Sequence, residues 1–251
     1  MKRFITNSLY SFTVIIIVLI IWYIASILID VDLILPTPYV AFSNIGHYLI
    51  SKEFWVSFGW TYLRCIEGFV LSFCIAMVLA IVAYSSQTLE KLLNPFMGIV
   101  RAIPTMAILL ILIIILRPSQ TPIIVAGIVI CPILYQSFLA SLKGIDEKLI
   151  EMVEVYKVPK SKQILKFYIP SVLPSVFSHC VSGFSLTIKL IIAAEALAQT
   201  AKSIGKMMQF AKVNIEIEKL FALTIIAIAI SLISEAMIRF IQRVVCKDDR
   251  A

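Results

Sequence analysis

The sequence predicts an all-α integral membrane protein with six transmembrane helices and an amphipathic helical hairpin between the fourth and the fifth. Its 251 residues are 61% hydrophobic and only 15% charged, with a mean hydropathy of +0.99. Soluble domains are closer to half apolar and a quarter charged. Long uncharged segments recur along the chain, each close to the ~20 residues that cross a bilayer core. The stretch 142–172 interrupts them with six lysines and four acids.

The uncharged segments define one transmembrane domain over residues 1–251. The first of them runs from Phe4 to Ile29 and lacks a small-x-small cleavage site, so we interpret it as a retained helix and not as a removed signal peptide. The connection that follows, up to Arg64, is polar. The six predicted helices cover approximately residues 9–29, 66–86, 95–116, 121–141, 173–199 and 220–240.

Basic residues predict the orientation of the chain in the membrane. Lys2, Arg3, the lysine-rich stretch 142–172 and the basic C-terminal tail all fall on one side of a six-helix topology. Lysine and arginine accumulate in cytoplasmic loops, so both termini are expected in the cytoplasm of a cell-membrane protein. The loop after the fifth helix carries four lysines on the other side and weakens this assignment.

Composition also excludes several classes of function. The net charge of +7 is spread over loops, which indicates contact with anionic lipid and not with nucleic acid. The chain has no phosphate-binding GxxxxGK[ST] loop, no HExxH motif and no CxxC pair. We therefore expect no catalysis, no metal and no cofactor on this chain.

The stretch 142–172 reads as two short amphipathic helices. Apolar residues recur with the spacing of one helix face, and Pro159 is expected to end that helix. A second short helix, 160–168, is expected to end at Pro170. The apolar face requires either a partner protein or, as lysine-rich helices often do, the inner leaflet of the membrane. The face consists of Ile145, Leu149, Met152, Val153 and Tyr156.

This hairpin resembles the cytoplasmic EAA loop of binding-protein-dependent ABC importer permeases. The family pattern is E-A-A, then a glycine, then a proline about twenty residues on. Here it stands as Glu151-Met152-Val153, then Lys157, then Pro170. Met-Val replaces the small alanine pair and Lys157 replaces the glycine, so Pro159 must break the helix in its place.

Six further landmarks, in order, are similar to the nitrate/sulfonate/taurine type of these permeases. They cover nearly all of the chain after the first helix: LPTP at 35–38, TYLRCIEGF at 61–69, RAIPT at 101–105, SLKGID at 141–146, KLIIAAEALA at 189–198 and SIGKMMQFAK at 203–212.

The resemblance implies a permease subunit that works as a dimer of two identical copies, beside other chains. An ATPase subunit on the cytoplasmic face would bind ATP and Mg, and an extracytoplasmic solute-binding protein would deliver a small, anionic, sulfonate-like solute. The hairpin would fit a groove of the ATPase and act as a lever that rocks the pore between inward and outward access. The residues that would couple to the ATPase are Leu149, Glu151, Met152, Val153, Glu154, Tyr156, Lys157, Pro159 and Pro170.

Charges inside the predicted helices are candidates for the translocation path. A charge at bilayer depth costs about 2.5–3.5 kcal/mol on insertion scales and usually faces a bundle interior or a water-filled path. Lys189 either faces the path and attracts an anion, or snorkels to the interface. Glu195 is expected to brace a packing contact or to bind exposed backbone at an outer gate.

Other polar residues near the helix ends allow two interpretations each. Arg101, just before the kink expected at Pro104, lies either in the pore or at headgroup level. Arg64 and Glu67 are expected at the membrane interface. Gly205, with Lys202 and Lys206, lies where the family has a short outer gate element. The same residues are also typical of a solvated loop.

Two other classes of function remain open on the sequence alone. A secondary transporter or channel would need no ATPase, but such proteins often contain an internal repeat, which this sequence lacks. A membrane-bound enzyme or assembly factor is the third class. Dependence on a separate ATPase distinguishes the importer from both.

Overall fold

A computed structural model describes residues 2–29, 31, 34–156 and 159–246, and these residues form helices joined by short turns. One further element, Ile164–Tyr168, is a π-helical turn. In chain order the helices are α1 (Lys2–Ile29), α2 (Pro38–Ile50), α3 (Lys52–Ser85), α4 (Gln87–Ala102), α5 (Thr105–Ile115), α6 (Thr121–Lys143), α7 (Glu147–Val155), α8 (Lys160–Gln163), α9 (Ile169–Leu197), α10 (Ile204–Val213) and α11 (Ile217–Val245).

Within the described residues, four helical segments are long and apolar enough to cross a membrane, against the six that the sequence predicts. They are Lys52–Ser85, Thr121–Lys143, Lys166–Leu197 and Ile217–Val245. The pair α4 and α5 makes a fifth if it is counted as one broken span. At the first predicted helix, Thr13–Ile29 is a shorter apolar helix.

The third predicted helix, 95–116, is two helices that meet at Pro104. Their axes differ by 84°. Ile103 and Pro104 are both extended, with ψ angles of 127° and 126°. Proline disfavours helical geometry in the residue before it, and it offers no amide for the helical ladder, so the helix turns here instead of bending gently.

The second predicted transmembrane helix is α3, which begins at Lys52, fourteen residues before the predicted start at 66. Its buried face continues through the segment that the sequence predicts as a polar connection. Buried residues recur every three or four positions from Phe54 through Ser57, Thr61 and Arg64 to Gly68. That spacing is the stripe of a single helix. Arg64 therefore belongs to a packed helix face and not to a connection.

The polar hairpin also differs from its predicted form. Pro170 does not end a helix: it lies in the first turn of α9, where its missing N–H costs nothing. The π-helical turn leads directly into α9, and the Ile169 amide donates to the Ile164 carbonyl across it. Helix α7 ends at Val155, and Pro159 lies at the start of α8. Lys157 lies outside the described residues.

The core is a layered packing of α3, α6, α9 and α11. Helix α6 lies between α3 and α9, α11 packs on α9, and α10 crosses α9 and α11 at one end. Ala76, Ala80 and Ala83 of α3 are fully buried beside Tyr135 and Phe138 of α6. Small residues at such contacts let two membrane helices approach closely.

Candidate gate and coupling sites

A buried ion pair joins α3 to α9 near the α10 end of the molecule. Arg64 Nη1 lies 2.7 Å from Glu195 Oε1, and the two side chains are 8% and 0% exposed. This burial corrects the interfacial position predicted for Arg64. The pair joins Glu195 of α9 to a residue that lies 131 positions earlier in the chain.

Thr61 and the first turn of α10 complete the shell around the Glu195 carboxylate. Thr61 Oγ1 donates to Glu195 Oε2 at 2.8 Å and accepts the Ile204 amide at 3.0 Å. The Gly205 amide donates to the same carboxylate oxygen at 3.4 Å. A carboxylate at a helix N-terminus interacts favourably with the helix dipole, so Glu195 fixes the start of α10.

Gly205 lies where α10 touches the backbone of α9. A Cβ atom at this position would lie 2.4 Å from the Ile192 carbonyl oxygen and 2.6 Å from the Ala196 nitrogen. Both are backbone atoms that no side-chain rotation can move away. Only glycine allows α10 to rest this closely on α9.

The turn between α9 and α10 is held by further backbone contacts. Arg64 donates to the carbonyl oxygens of Ala201 at 3.3 Å and Lys202 at 3.4 Å. Thr200 Oγ1 donates to the Pro118 carbonyl at 2.7 Å. Gln199 and Lys202 have positive φ angles of 54° and 49°, a left-handed geometry that is uncommon for residues other than glycine. The buried pair thus secures a tight, strained turn.

We call Thr61, Arg64, Glu195, Ile204 and Gly205 the α10 lock. The five residues come from three of the sequence landmarks, TYLRCIEGF, KLIIAAEALA and SIGKMMQFAK. Among the described residues every buried side-chain nitrogen and oxygen has a hydrogen-bond partner. The lock can hold α10 against the bundle, and it offers no free polar group to a solute.

Lys189, in contrast, is exposed in an apolar groove. The groove has a volume of about 490 Å³ and runs between α9, α10 and α11. Gln209 and Lys212 of α10 line the same groove, among alanine and isoleucine side chains. Lys189 is eight residues before the end of α9, about 12 Å along the axis at 1.5 Å per residue. Lys189 and Lys212 thus place two cations on an otherwise mostly apolar groove.

A second groove, of about 920 Å³, lies at the α10 end and includes the two lysines expected at the outer gate element, Lys202 and Lys206. Lys52 and Lys219 also line it, and Lys219 pairs with Glu216 at 2.8 Å. Burial, and to a lesser extent the Glu216 charge, raise the pKa of Tyr48 in this groove to about 12. Tyr48 is therefore neutral and can donate a hydrogen bond.

Helix α7 presents the predicted apolar face largely to the outside. Leu149 and Met152 are 44% and 48% exposed, and Tyr156 is 75% exposed, whereas Ile145 is buried and anchors the segment. Asp146 accepts the Lys148 amide at the start of the helix. Glu151 and Pro159 are exposed and Val153 is half-buried. The backbone of Glu154 is helical, but its side chain lies outside the described part of the chain.

Arg101 is an exposed residue of α4 and donates to Gln136 of α6. Two more contacts join the same helices: Lys143 to Glu90 at 2.6 Å, and the Tyr135 hydroxyl to Asn94 at 2.9 Å. Sequence reasoning missed Glu90, Asn94 and Lys143. The signal was the spacing of Glu90, Asn94 and Arg101, which places all three on one face of a helix.

Among the described residues no three His, Cys, Asp or Glu side chains converge as metal ligands. The described helices include four or five candidate membrane spans, as in a multi-pass helical membrane protein. The chain belongs to the family of binding-protein-dependent transport system inner membrane components, which matches residues 72–245. It is thus an ABC transporter permease.

A curated relative and two solved structures agree with this assignment. The chain is 23% identical over 217 residues to the putative aliphatic sulfonates transport permease protein SsuC of Bacillus subtilis (strain 168), covering 85% of this chain and 78% of that one. An inward-facing MetNI methionine ABC transporter structure matches 77% of this chain and 93% of its own, with 18% identity and a TM-score of 0.53. An amino acid ABC transporter crystallised with histidines matches 75% and 90%, with 11% identity and a TM-score of 0.59. Because the identities to these two structures are only 18% and 11%, the matches support the fold of this chain and nothing finer.

Proposed function

We propose that this permease forms the path of an ABC importer for a small anionic, sulfonate-like solute. The observation that carries the anionic character is Lys189, a cation within a membrane-spanning helix that faces an open groove shared with Lys212. A charge within a membrane-spanning helix is costly to desolvate, and such charges usually mark a functional site. The relation to an aliphatic sulfonate permease points to the same class of solute.

The driving force in this proposal comes from an ATPase on a separate chain, which binds ATP and Mg. Helix α7 fits a groove of that ATPase: Leu149, Met152 and Tyr156 form the apolar centre of the contact, and Glu151 forms part of its polar rim. If α7 had no partner, its apolar face would be expected to pack against the rest of the chain. Exposure of that face supports a docked partner.

The orientation that we propose places α7 and both termini in the cytoplasm. Gln242, near the end of α11, donates to the Pro174 carbonyl at the start of α9, on the α7 side of the bundle. Trp22, near the end of α1, stacks on Phe221 at the opposite side with ring centroids 5.5 Å apart. The groove that contains Lys202 and Lys206 then faces outward, where a solute-binding protein would deliver the anion to two copies of this chain.

A mild-detergent pull-down of the tagged chain from its native membranes tests the proposal. An ATPase subunit retained at near one-to-one ratio supports it, provided that the ATPase is lost when residues 149–156 are scrambled. Recovery of the folded chain alone, or with unrelated partners, contradicts it. The genes beside that ATPase then supply the solute-binding protein for a ligand screen with aliphatic sulfonates, nitrate and uncharged solutes.

A further inference from the structure

We propose that a ladder of polar contacts between α4 and α6 transmits the movement of α7 to the helix break at Pro104. The ladder consists of Glu90–Lys143, Asn94–Tyr135 and Arg101–Gln136. Glu90, Asn94 and Tyr135 would then affect transport by positioning helices and not by touching the solute, because none of them lines the groove that contains Lys189. The inference rests on the proposed pairing of α7 with an ATPase.

The first step is the attachment of α7 to α6. Only Gly144, Ile145 and Asp146 separate Lys143, the last residue of α6, from the first residue of α7. Gly144 continues the helical bonding through its amide, which donates to the Ala140 carbonyl at 2.9 Å, and Ile145 is buried. A force on α7 therefore acts directly on the end of α6 that carries Lys143.

The second step is the attachment of that end to α4. Lys143 Nζ contacts both carboxylate oxygens of Glu90, at 2.6 and 2.7 Å. The Asn94 side-chain amide donates to Glu90 at 3.1 Å, and the Asn94 carbonyl oxygen accepts the Tyr135 hydroxyl at 2.9 Å. These four side chains thus form one continuous chain of three contacts, from Lys143 through Glu90 and Asn94 to Tyr135 of α6.

The third step is the common face of α4. Positions 90, 94, 97 and 101 recur at the i, i+4, i+7 and i+11 spacing of one helix face. Met97 lies between the polar pairs and is 4% exposed, packed in the cluster that also contains Tyr135. Because polar ties lie on both sides of a packed apolar contact, α4 and α6 are expected to move as one body.

The last step is delivery at the break. Arg101 is three residues before Pro104, and α5 leaves at 84° directly after it. Ile108 and Leu109 of α5 are buried. Leu109 shares one buried cluster with Val125 of α6 and Ala194 of α9. A displacement of the joined α4 and α6 relative to α9 would therefore change the position of α5, with the extended Ile103–Pro104 junction as the hinge.

The test measures the conformation of α5 in the complex purified with its ATPase, and it needs no knowledge of the solute. Met106, 56% exposed just past the break, is replaced by cysteine in a background whose native cysteines are alanine. Its labelling by a water-soluble maleimide is timed with and without ATP plus vanadate. In the parent complex we expect the rate to change about five-fold or more, the lower end of coupling between distant sites.

Glu90→Gln and Tyr135→Phe should abolish this nucleotide-dependent change while ATP hydrolysis and the melting temperature persist. The charge exchange Glu90→Lys with Lys143→Glu should restore it, because the ion pair can re-form with its signs reversed. A melting temperature that stays the same in all of these variants separates this role from a purely structural one. The matched control is Lys91→Met: the Lys91 side chain lines the same cleft and makes no hydrogen bond or ion pair among the described residues, and its charge acts on Glu90 only as the last of several contributions.

Two results overturn the ladder, and a third concerns the proposed function instead. The ladder is wrong if the Glu90→Gln and Tyr135→Phe complexes keep the parent response, or if the parent complex hydrolyses ATP with no response at position 106. Absence of any co-purifying ATPase contradicts the importer proposal on which the ladder rests, and separates that failure from failure of the ladder.

Discussion

Arg64 and Glu195 form a buried ion pair with a nitrogen–oxygen distance of 2.7 Å, although they lie 131 residues apart in the chain. Removing one partner of such a pair leaves an uncompensated buried charge, which costs about 3–5 kcal/mol. We expect Arg64→Met to lower the unfolding free energy by this amount. Thermal unfolding in detergent measures the effect.

The double variant Arg64→Met with Glu195→Leu is the control for that change. Because it removes both charges, it should unfold less readily than Arg64→Met alone. Equal stabilities for the single and double variants would show that the pair is not energetically coupled. The stability of Glu195→Gln should lie between those of the single and the double variant, since the amide oxygen of glutamine can still accept the hydrogen bond from Thr61.

Gly205→Ala should displace the start of α10 or destabilise the fold, because the added methyl group would overlap backbone atoms of α9 at 2.4 to 2.6 Å. Overpacking of this kind costs about 1–3 kcal/mol, and more where backbone must move. The melting temperature and the rate of proteolysis in the 199–203 turn measure it.

Gly59→Ala is the matched control for position 205. Gly59 lies within α3, and a Cβ there meets no atom within 4 Å. Alanine in a helix interior is favoured over glycine by about 0.5–1 kcal/mol, so this variant should be unchanged or slightly more stable. A similar loss in both variants would contradict the close-contact argument.

Leu149→Asp with Met152→Asp should abolish retention of the ATPase while leaving the fold intact. Both side chains are nearly half exposed, so the change removes a docking face without opening the core. The pull-down and the melting temperature are measured together. Ile145→Asp, at a buried position, should lower the melting temperature instead, and retention of the ATPase by the double variant would refute the docking of α7.

Lys189→Met should reduce uptake of a radiolabelled aliphatic sulfonate such as ethanesulfonate, because it removes a cation from the groove that it shares with Lys212. We expect a loss of about ten-fold, the effect of roughly 1.4 kcal/mol. Lys189→Arg keeps the charge and should retain most uptake. Since Lys189 is exposed, the melting temperature should not change. Unchanged uptake in Lys189→Met would remove Lys189 from the path.

The sequence predicted the helical membrane class and the amphipathic face of α7 because both depend on local periodicity. It missed the Arg64–Glu195 pair because the partners are distant, and each alone reads as an interfacial or bracing charge. The proline at 104 signalled a kink, but its 84° angle depends on how α5 packs on α6. The π-helical turn before Pro170 had no sequence signal that differs from a helix end.

The separation of Arg64 and Glu195 also has a consequence for the synthesis of the chain. At about 5–20 residues per second, ribosomes add the intervening 131 residues in roughly 7 to 26 seconds. During that time Arg64 has been made and its counter-charge has not. The helices that are made first therefore contain an uncompensated cation until Glu195 of α9, in the last quarter of the protein, has been synthesised. Assembly in the membrane cannot be completed helix by helix in the order of translation.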